Sequence, residues 1–421
     1  MKRIVIVSGI QPSTNPRVVK EADALAEAGY DVTVLGATLS PPTAARDREV
    51  MQGRRWKYTT VLDAESHEPA QRFRWLKARL RMRLWRELHA RLGVSNYRQA
   101  GYAGKELLEW CRRHSADLYI VHNPQSLWVG LELRNRGERV AVDMEDWYSR
   151  DVPESEADFV STELVSRWER ALLPRAAYVT TTSHAMAAAI SDATGCALPA
   201  TVYNSFPVVH DEQSQRDNRP NATWSLIWFS QVIGPGRGLE TLIDALARVS
   251  YPLTIELIGT SDLSYRNALI QRAPAEWREH IHFSAQVPQS ELVPRIQMCD
   301  IAYAGEFPTP DNKNLTISNK ILLYLQAGLP VVASDTIGHR EVADKSSSSV
   351  RLFAAGDSVS LGNAINSLLR DPGELWRLRE QAKDTAERFF SWEQSKAILL
   401  DKVRHALNDA GSHPSGGATI K

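Results

Sequence analysis

A chain of 421 residues exceeds what one hydrophobic core usually holds, roughly 250–300 residues, so two domains are expected. Its 43% hydrophobic and 24% charged residues exclude a wholly disordered polymer. Lys+Arg and Asp+Glu both number 50, which excludes a surface built overall to hold nucleic acid. The 3 cysteines, Cys111, Cys196 and Cys299, form no C-x-x-C pair, so neither a disulfide framework nor a structural zinc cluster is expected. The opening MKRIVIVSGI lacks the long apolar stretch of a signal peptide, and no apolar run reaches the ~18 residues that cross a bilayer; a cytoplasmic protein is the expectation.

Residues 3–7 (RIVIV) form a β-branched run that predicts a strand. After Ser8-Gly9 and a polar loop, Val18, Val19, Ala22, Leu25 and Ala26 give a helical stripe over 16–28, stopped by Gly29. DVTVL at 31–35 then predicts a second strand, and the βαβ order implies a parallel sheet. Strands are expected again at 118–122, 139–143, 178–181 and 201–203, with helices near 98–114, 124–136, 156–174 and 183–194. Residues 207–222 turn polar and read as a linker. The alternation restarts with strands at 225–229, 253–258, 281–283, 300–303 and 329–333 and helices at 238–250, 289–298, 318–327, 358–370 and from about 373. The expected architecture is α/β, with two doubly wound Rossmann-like domains. Domain limits are set at 1–206 and 223–388, with a helix at 389–410 returning to the first domain and a disordered tail at 411–421.

Residues 72–92 stand apart, with eight Lys/Arg and Glu87 as the sole acid. Phe73, Leu76, Leu80, Leu84, Leu88 and Leu92 recur at helical spacing. Two readings stay open: a basic amphipathic helix resting on an anionic membrane, or a helix covering its own domain with arginines toward solvent.

In open parallel sheets ligands bind beyond the carboxyl ends of strands, so the loops after strands carry the chemistry. Those loops hold Ser8-Gly9 with Asn15-Pro16-Arg17, His122-Asn123-Pro124, and Asp143 to Tyr148. The second half contributes Gly234 to Leu242 (GPGRGLETL), and Ser318-Asn319-Lys320 followed by Tyr324 to Asp335 (YLQAGLPVVASD), Gly338 and Glu341. In this order the sequence resembles the GT-B glycosyltransferases, in particular the family-4-like retaining group, over nearly its whole length. The resemblance implies two domains facing across a cleft, a nucleotide-diphosphate sugar as co-substrate, no resident cofactor and no metal.

The residues support a phosphate site of their own accord. Gly236 and Gly238 let backbone approach a ligand before a helix start, where N–H groups attract anions, and Arg237 can grip diphosphate oxygens. Ser318, Asn319 and Lys320 open another helix with a hydroxyl, an amide and a cation. Each has a plainer alternative, a turn with an exposed arginine and a Ser cap with a surface lysine. The resemblance adds Gly9, Gln231, Gly259 and Val287 to the donor side, with the base near Gly259 and residues 286–288. Two departures stand out: the family's paired glutamates are Leu315 and Leu323 here, and its Gly-Arg pair is Ser230-Gln231. The reading preferred is a variant pocket in which Gln231, Asn319 and Lys320 supply the polar contacts.

On the acceptor side the resemblance makes His122 an active-site histidine that bonds the transferred sugar or shapes the anomeric centre, and puts Glu145 and Asp146 where one could accept the nucleophile's proton. Asn15, Arg17 and Asn123 join them, Arg17 facing acceptor or phosphate charge. The alternatives are a packing histidine, a helix cap or an Arg150 partner, and a solvated arginine. The expected activity is sugar transfer to a glycan, a lipid-linked sugar, or a small natural product or thiol. The rivals are an epimerase or hydrolase of the same fold, or a non-catalytic nucleotide-sugar-binding partner. A nicotinamide enzyme is disfavoured, since SGIQPSTNP replaces the usual G-x-G-x-x-G turn.

Overall fold

The computed structural model describes residues 1–38, 41–151, 161–206, 223–346 and 348–408, with backbone alone for residues 41–43 and 289–290. The expected linker at 207–222 and the tail at 411–421 lie outside the described residues, as do the first residues of the helix expected at 156–174.

The chain divides into two compact units. The first comprises Met1–Thr181, Ala187–Val202 and the stretch from Lys396 onward; the second comprises Thr182–Met186 and Tyr203–Ser395. The first holds β1 (Arg3–Val7), β2 (Asp31–Thr38), β3 (Lys57–Asp63), β4 (Leu118–Val121), β5 (Val140–Met144), β6 (Val179–Thr181) and β7 (Ala200–Thr201). They pair in parallel in the order β3-β2-β1-β4-β5-β6-β7. The second holds β8 (Trp224–Ile233), β9 (Leu253–Ser261), β10 (Ile281–Ser284), β11 (Ile301–Ala304), β12 (Val331–Ser334) and β13 (Val350–Phe353). Their order is β10-β9-β8-β11-β12-β13, again parallel.

Each order reverses once, between β1 and β4 and between β8 and β11. The loops after those four strands therefore diverge and leave a crevice at the carboxyl edge. The second sheet is apolar on both faces, as a parallel sheet under two helical layers must be. Leu226, Trp228, Ile301, Tyr303 and Val332 pack into one core, while Ile227, Ala302, Ala304, Val331 and Ala333 pack into the other. This is the strand period of two read directly from the core.

The elements the sequence reading omits are mostly marginal ones. The edge strand β3 is only partly buried, and the edge strand β13 carries Arg351, so neither shows a clean apolar run. Helices Pro41–Met51, Leu263–Arg272 and Ile337–Ala343 also go unforeseen, the first two having weakly segregated apolar residues. The helix expected at 98–114 begins only at Gly104, after a short 3₁₀ turn at Tyr97–Gln99.

The basic segment is a helix over Pro69–Leu92, and its packing is the reverse of what its leucines suggest. Ala78 and Met82 face the unit, whereas Phe73, Leu76, Leu80 and Leu84 are 67%, 53%, 56% and 57% exposed. Trp75 lies against Tyr102 on the covered side, and Arg81 pairs there with Glu106.

Helix Pro372–Phe389 anchors the entry to β11 through Arg379. Its Nη1 donates to the Cys299 carbonyl at 2.6 Å and its Nη2 to the Gln297 carbonyl at 3.1 Å. Arg379→Ala strands those buried carbonyls and is expected to cost about 3 kcal/mol, read as a lower urea midpoint.

Candidate active site

In the first unit the carboxyl ends of β4 and β5 and the helix after β1 bring charged groups together under cover. Asn15 caps helix Pro16–Glu27, its Oδ1 accepting from the Val18 amide while its Nδ2 donates to Glu145 Oε1 at 2.7 Å. Two residues on, Arg17 Nε and Nη2 donate to both oxygens of Asp143 at 2.6 and 2.9 Å, and Nη1 donates to the Val202 carbonyl at 2.7 Å. His122 follows β4, fully buried, with Nδ1 2.7 Å from Glu145 Oε1 and Nε2 2.7 Å from Glu21 Oε2. Asp143 Oδ2 lies 3.7 Å from the same ring. Two ionised carboxylates can both accept only if the ring carries two protons, and the geometry suits an imidazolium between them.

The turn after β1 is fixed as tightly. Gly9 donates its amide to the Leu35 carbonyl and accepts from Gln125 Nε2 at 2.8 Å. It is left-handed at φ 71°, and a Cβ there would lie 2.5 Å from Gln125 Nε2. Asn123 is half-buried, its Nδ2 donating to the Ser8 carbonyl and its amide to the Tyr148 hydroxyl. Asp146 is half-buried beside Glu145.

In the second unit a cleft of about 320 Å³ opens at the carboxyl edge of β8 and β9. Phe206, Phe229, Ser230, Gln231, Ile258, Gln286, Val287, Leu292, Asn319, Lys320 and Leu323 line it. A break in the β8–β9 register between Phe229 and Val232 turns Gln231 outward. Gly259 sits on β9 next to Ile258. Arg237 Nη1 donates to Ser230 Oγ at 3.0 Å, which brings its guanidinium to the cleft wall. Gly236 is exposed, and Gly238 packs so closely that a Cβ would lie 2.8 Å from the Tyr303 hydroxyl, which itself donates to the Gly238 carbonyl. Ser318 caps helix Asn319–Gln326. Lys320 Nζ donates to Glu306 Oε1 at 2.9 Å.

Two family models match the chain: the glycosyl transferase 4-like domain over residues 14–203 and the glycosyl transferases group 1 over residues 225–371. The chain belongs to the GT-B glycosyltransferases. Solved structures share the fold. Sucrose-phosphate synthase from Thermosynechococcus elongatus aligns at TM-score 0.69 and 17% identity, over 96% of this chain and 98% of its own. Anabaena Alr3699/HepE in complex with UDP aligns at 0.68 and 16%, over 96% and 100%. A glycosyltransferase from Rickettsia africae ESF-5 aligns at 0.66 and 11%, over 97% and 99%. No curated protein sequence matches the chain.

The enzyme departs from the sequence reading at three places. Arg17 is neither solvated nor turned to a phosphate; Asp143 and the Val202 carbonyl hold it inside the fold. The Gly9 amide, expected to face the donor, is committed to Leu35. His122 has both nitrogens engaged by carboxylates, which leaves no ring atom for a sugar hydroxyl. Three residues were missed. Glu21 had a signal: it falls four positions after Arg17, on the apolar face with Val18, Ala22 and Leu25. Asp143 stands in the sequence at the end of a strand and the head of a site loop, but nothing near it marks its carboxylate as the partner of Arg17. Glu306 also had one, as a carboxylate right after Gly305 where β11 ends. Glu341, noted in the sequence, accepts from the His184 amide and the Tyr203 hydroxyl and so holds backbone in place.

Glu21, His122 and Asp143 each offer a donor atom within 4.8 Å of the others, the spacing of a cation seat. Arg17 already spans both oxygens of Asp143, and a cation would have to displace it. Burial alone would strip the proton from His122, yet the charge of Glu21, the hydrogen bonds to Glu145 and Glu21 and the charge of Asp143 raise its pKa to about 10. Burial works against Asp143 ionising too, but Arg17 and His122 outweigh it and pull its pKa down. Lys20 behaves oppositely: burial and the charge of Arg17 push it down to about 7, against the pull of Glu145.

The two shifts have opposite consequences for stability. The folded state holds the His122 proton above the ordinary value of ~6.5, so that stabilisation is complete below ~6.5 and is lost as pH rises through about 10. The folded state releases the Lys20 proton early, so its penalty is full below about 7 and is relieved as pH climbs toward the ordinary ~10.4. Wild-type stability should therefore change little between these limits. Lys20→Met is expected to expose a falling slope and His122→Gln a rising one in urea titrations across the same range. Nitrogen-detected NMR at pH 8 should find both ring nitrogens of His122 protonated.

Proposed function

We propose that the enzyme takes its sugar from a nucleoside-diphosphate sugar bound in the second-unit cleft and transfers it to an acceptor met by Glu145. The observation that carries this reading is the cleft itself. Gln231, Val287, Asn319 and Lys320 were picked out from the sequence as donor-side residues, and all four line one cavity, with Arg237 tied to its wall through Ser230. Alr3699/HepE, solved with UDP and with UDP-glucose, makes uridine the first base to try.

In this scheme the apolar side of the cleft, Phe229, Ile258 and Val287, takes the base, while Arg237 and Lys320 take the diphosphate. As the anomeric bond breaks, the departing diphosphate gains negative charge. Fixed cations stabilise that charge without reorganising, which is where rate enhancement arises. The Glu306 carboxylate holds Lys320 in place before the donor arrives. Glu145 is 18% exposed, against 4% for both Glu21 and Asp143, so it is the carboxylate of the buried network best able to reach an acceptor. It would orient the acceptor group and take its proton as the new bond forms. Asn15 and His122 are then positioning residues that fix Glu145. Retention of anomeric configuration rests on the likeness to the retaining family-4-like group. The scheme uses no resident cofactor or metal, since the charge it must offset is met by Arg237 and Lys320.

A thermal-shift panel of nucleoside diphosphates and their sugar conjugates tests the donor side. The right base is expected to raise Tm in a dose-dependent way, and Arg237→Ala to abolish most of that rise and cut turnover by ~10²-fold or more. A panel in which no nucleotide moves Tm would overturn the proposed donor site. Glu145→Gln should leave the donor's thermal shift intact while lowering kcat by ~10²-fold. Equal loss of both would remove Glu145 from the acceptor role. Donor consumption that does not depend on an acceptor would mark a hydrolase instead.

A further inference from the structure

We propose that helix Pro69–Leu92 docks the enzyme on the surface of an anionic lipid bilayer, its exposed leucines entering the interface and its exposed arginines meeting the headgroups. The inference rests on this helix alone and does not depend on the donor or acceptor assignments.

The helix has two faces that do different work. Its covered face holds Ala78, Met82 and Trp75, and Arg81 and Arg86 turn to that side, bonding Glu106 with the Tyr102 carbonyl, and the Gln99 carbonyl. Its outer face holds Phe73, Leu76, Leu80 and Leu84, all exposed. At 100° per residue these four span an arc of about 80°, narrow enough to enter a surface together. Leaving four large apolar side chains in water along three turns gains nothing for the fold, so the stripe needs a partner.

The charges identify that partner. Of the eight Lys/Arg in residues 72–92, six remain exposed after Arg81 and Arg86 turn inward. Arg72, Arg79 and Arg83 border one edge of the stripe, and Arg74 and Lys77 lie at the other, each on a stem long enough to lie along apolar surface and lift its charge to the headgroups. Glu87, the sole acid, is paired with Arg91. An apolar stripe between two cationic edges complements an acyl layer beneath anionic headgroups. It complements a second copy of itself poorly, because the same cationic edges would then meet. A partner helix is also a poor match: the three-then-four spacing of Phe73, Leu76 and Leu80 would continue at Arg83 and Glu87, so a two-helix seam would meet charge within two turns. Among the described residues no helix is long and apolar enough to cross a membrane, so the contact would be peripheral.

The test is co-sedimentation of the full chain with vesicles of phosphatidylcholine containing about one-third phosphatidylglycerol, and with pure phosphatidylcholine. The wild type is expected to pellet with the anionic vesicles and not with the neutral ones, and to be released as salt rises. Leu80→Glu with Leu84→Glu, and separately Arg79→Glu with Arg83→Glu, should each weaken binding by ~10-fold or more. All four positions are exposed, so circular dichroism melts should match wild type. Absence of vesicle binding, or binding equal in wild type and both variants, would overturn the proposal. So would a dimer in sedimentation velocity that the leucine variant dissolves, since the stripe would then be an interface between copies.

Discussion

Three carboxylates withdrawn from water at the edge of one sheet would each carry a desolvation penalty of several kcal/mol if left unpaired. Two cations placed among Glu21, Asp143 and Glu145 offset it, the guanidinium of Arg17 and the ring of His122; the offset favours the ionised form of Asp143, while burial still pushes the Glu21 pKa up. The arrangement is mutual. Arg17 would be untenable in the interior without Asp143, and Asp143 without Arg17. This ties the helix after β1 to the ends of β4 and β5 and, through the Val202 carbonyl, to the segment after β7. The elements that border the switch point of the first sheet are thus clamped by charge as well as by apolar packing.

Such a clamp constrains what its members can do for a substrate. Each guanidinium nitrogen of Arg17 already has a partner inside the fold, and both nitrogens of His122 are spent on carboxylates. On the proposed reading their contribution is indirect: His122, with Asn15, fixes the orientation of Glu145, the member nearest solvent, and Arg17 holds the neighbouring Asp143. The second unit repeats the logic on a smaller scale. Glu306 leaves β11 at that sheet's switch point and meets Lys320 from the opening of the next helix, so a cation beside the cleft is held before any ligand arrives.

What could be read from the sequence follows from the range of the interaction involved. Central strands such as RIVIV and the segments around them are set by neighbours in the chain, and Gln231, near the end of β8, and Asn319 and Lys320, at a helix start, meet in one cleft. The Arg17–Asp143 pair spans 126 positions, and nothing near Arg17 announces its partner. Hence an arginine at a helix start looked free when it was committed. Two of the four edge strands escaped notice for a different reason: β3 and β13 satisfy hydrogen bonds on one side only and need not be apolar throughout. Helix Pro69–Leu92 shows a third limit. Periodicity revealed its leucine stripe but not which side the rest of the unit would cover, and burial of the face of Ala78 and Met82 turned the stripe outward.

The departures at 315 and 323 acquire a physical meaning once the cleft is seen. Leu323 is 2% exposed and forms part of the cleft wall, so an apolar side chain stands where related enzymes commonly place a carboxylate. An apolar wall cannot accept a hydrogen bond from a ribose or sugar hydroxyl, and a hydroxyl pressed against it without a partner would cost about 1–3 kcal/mol. If the cleft takes the proposed donor, its hydroxyls would be met by the polar groups that remain, Gln231, Gln286 and Asn319 around the rim and the Lys320–Glu306 pair. Amides donate as well as accept, whereas a carboxylate only accepts. On the proposed reading, leucine in place of a carboxylate removes negative charge from the cleft wall, which would leave more of the field of Arg237 and Lys320 to act on a bound diphosphate. On the proposed reading the missing glutamates redistribute the work of binding within the cleft, and the retained cations are the part that sugar transfer requires.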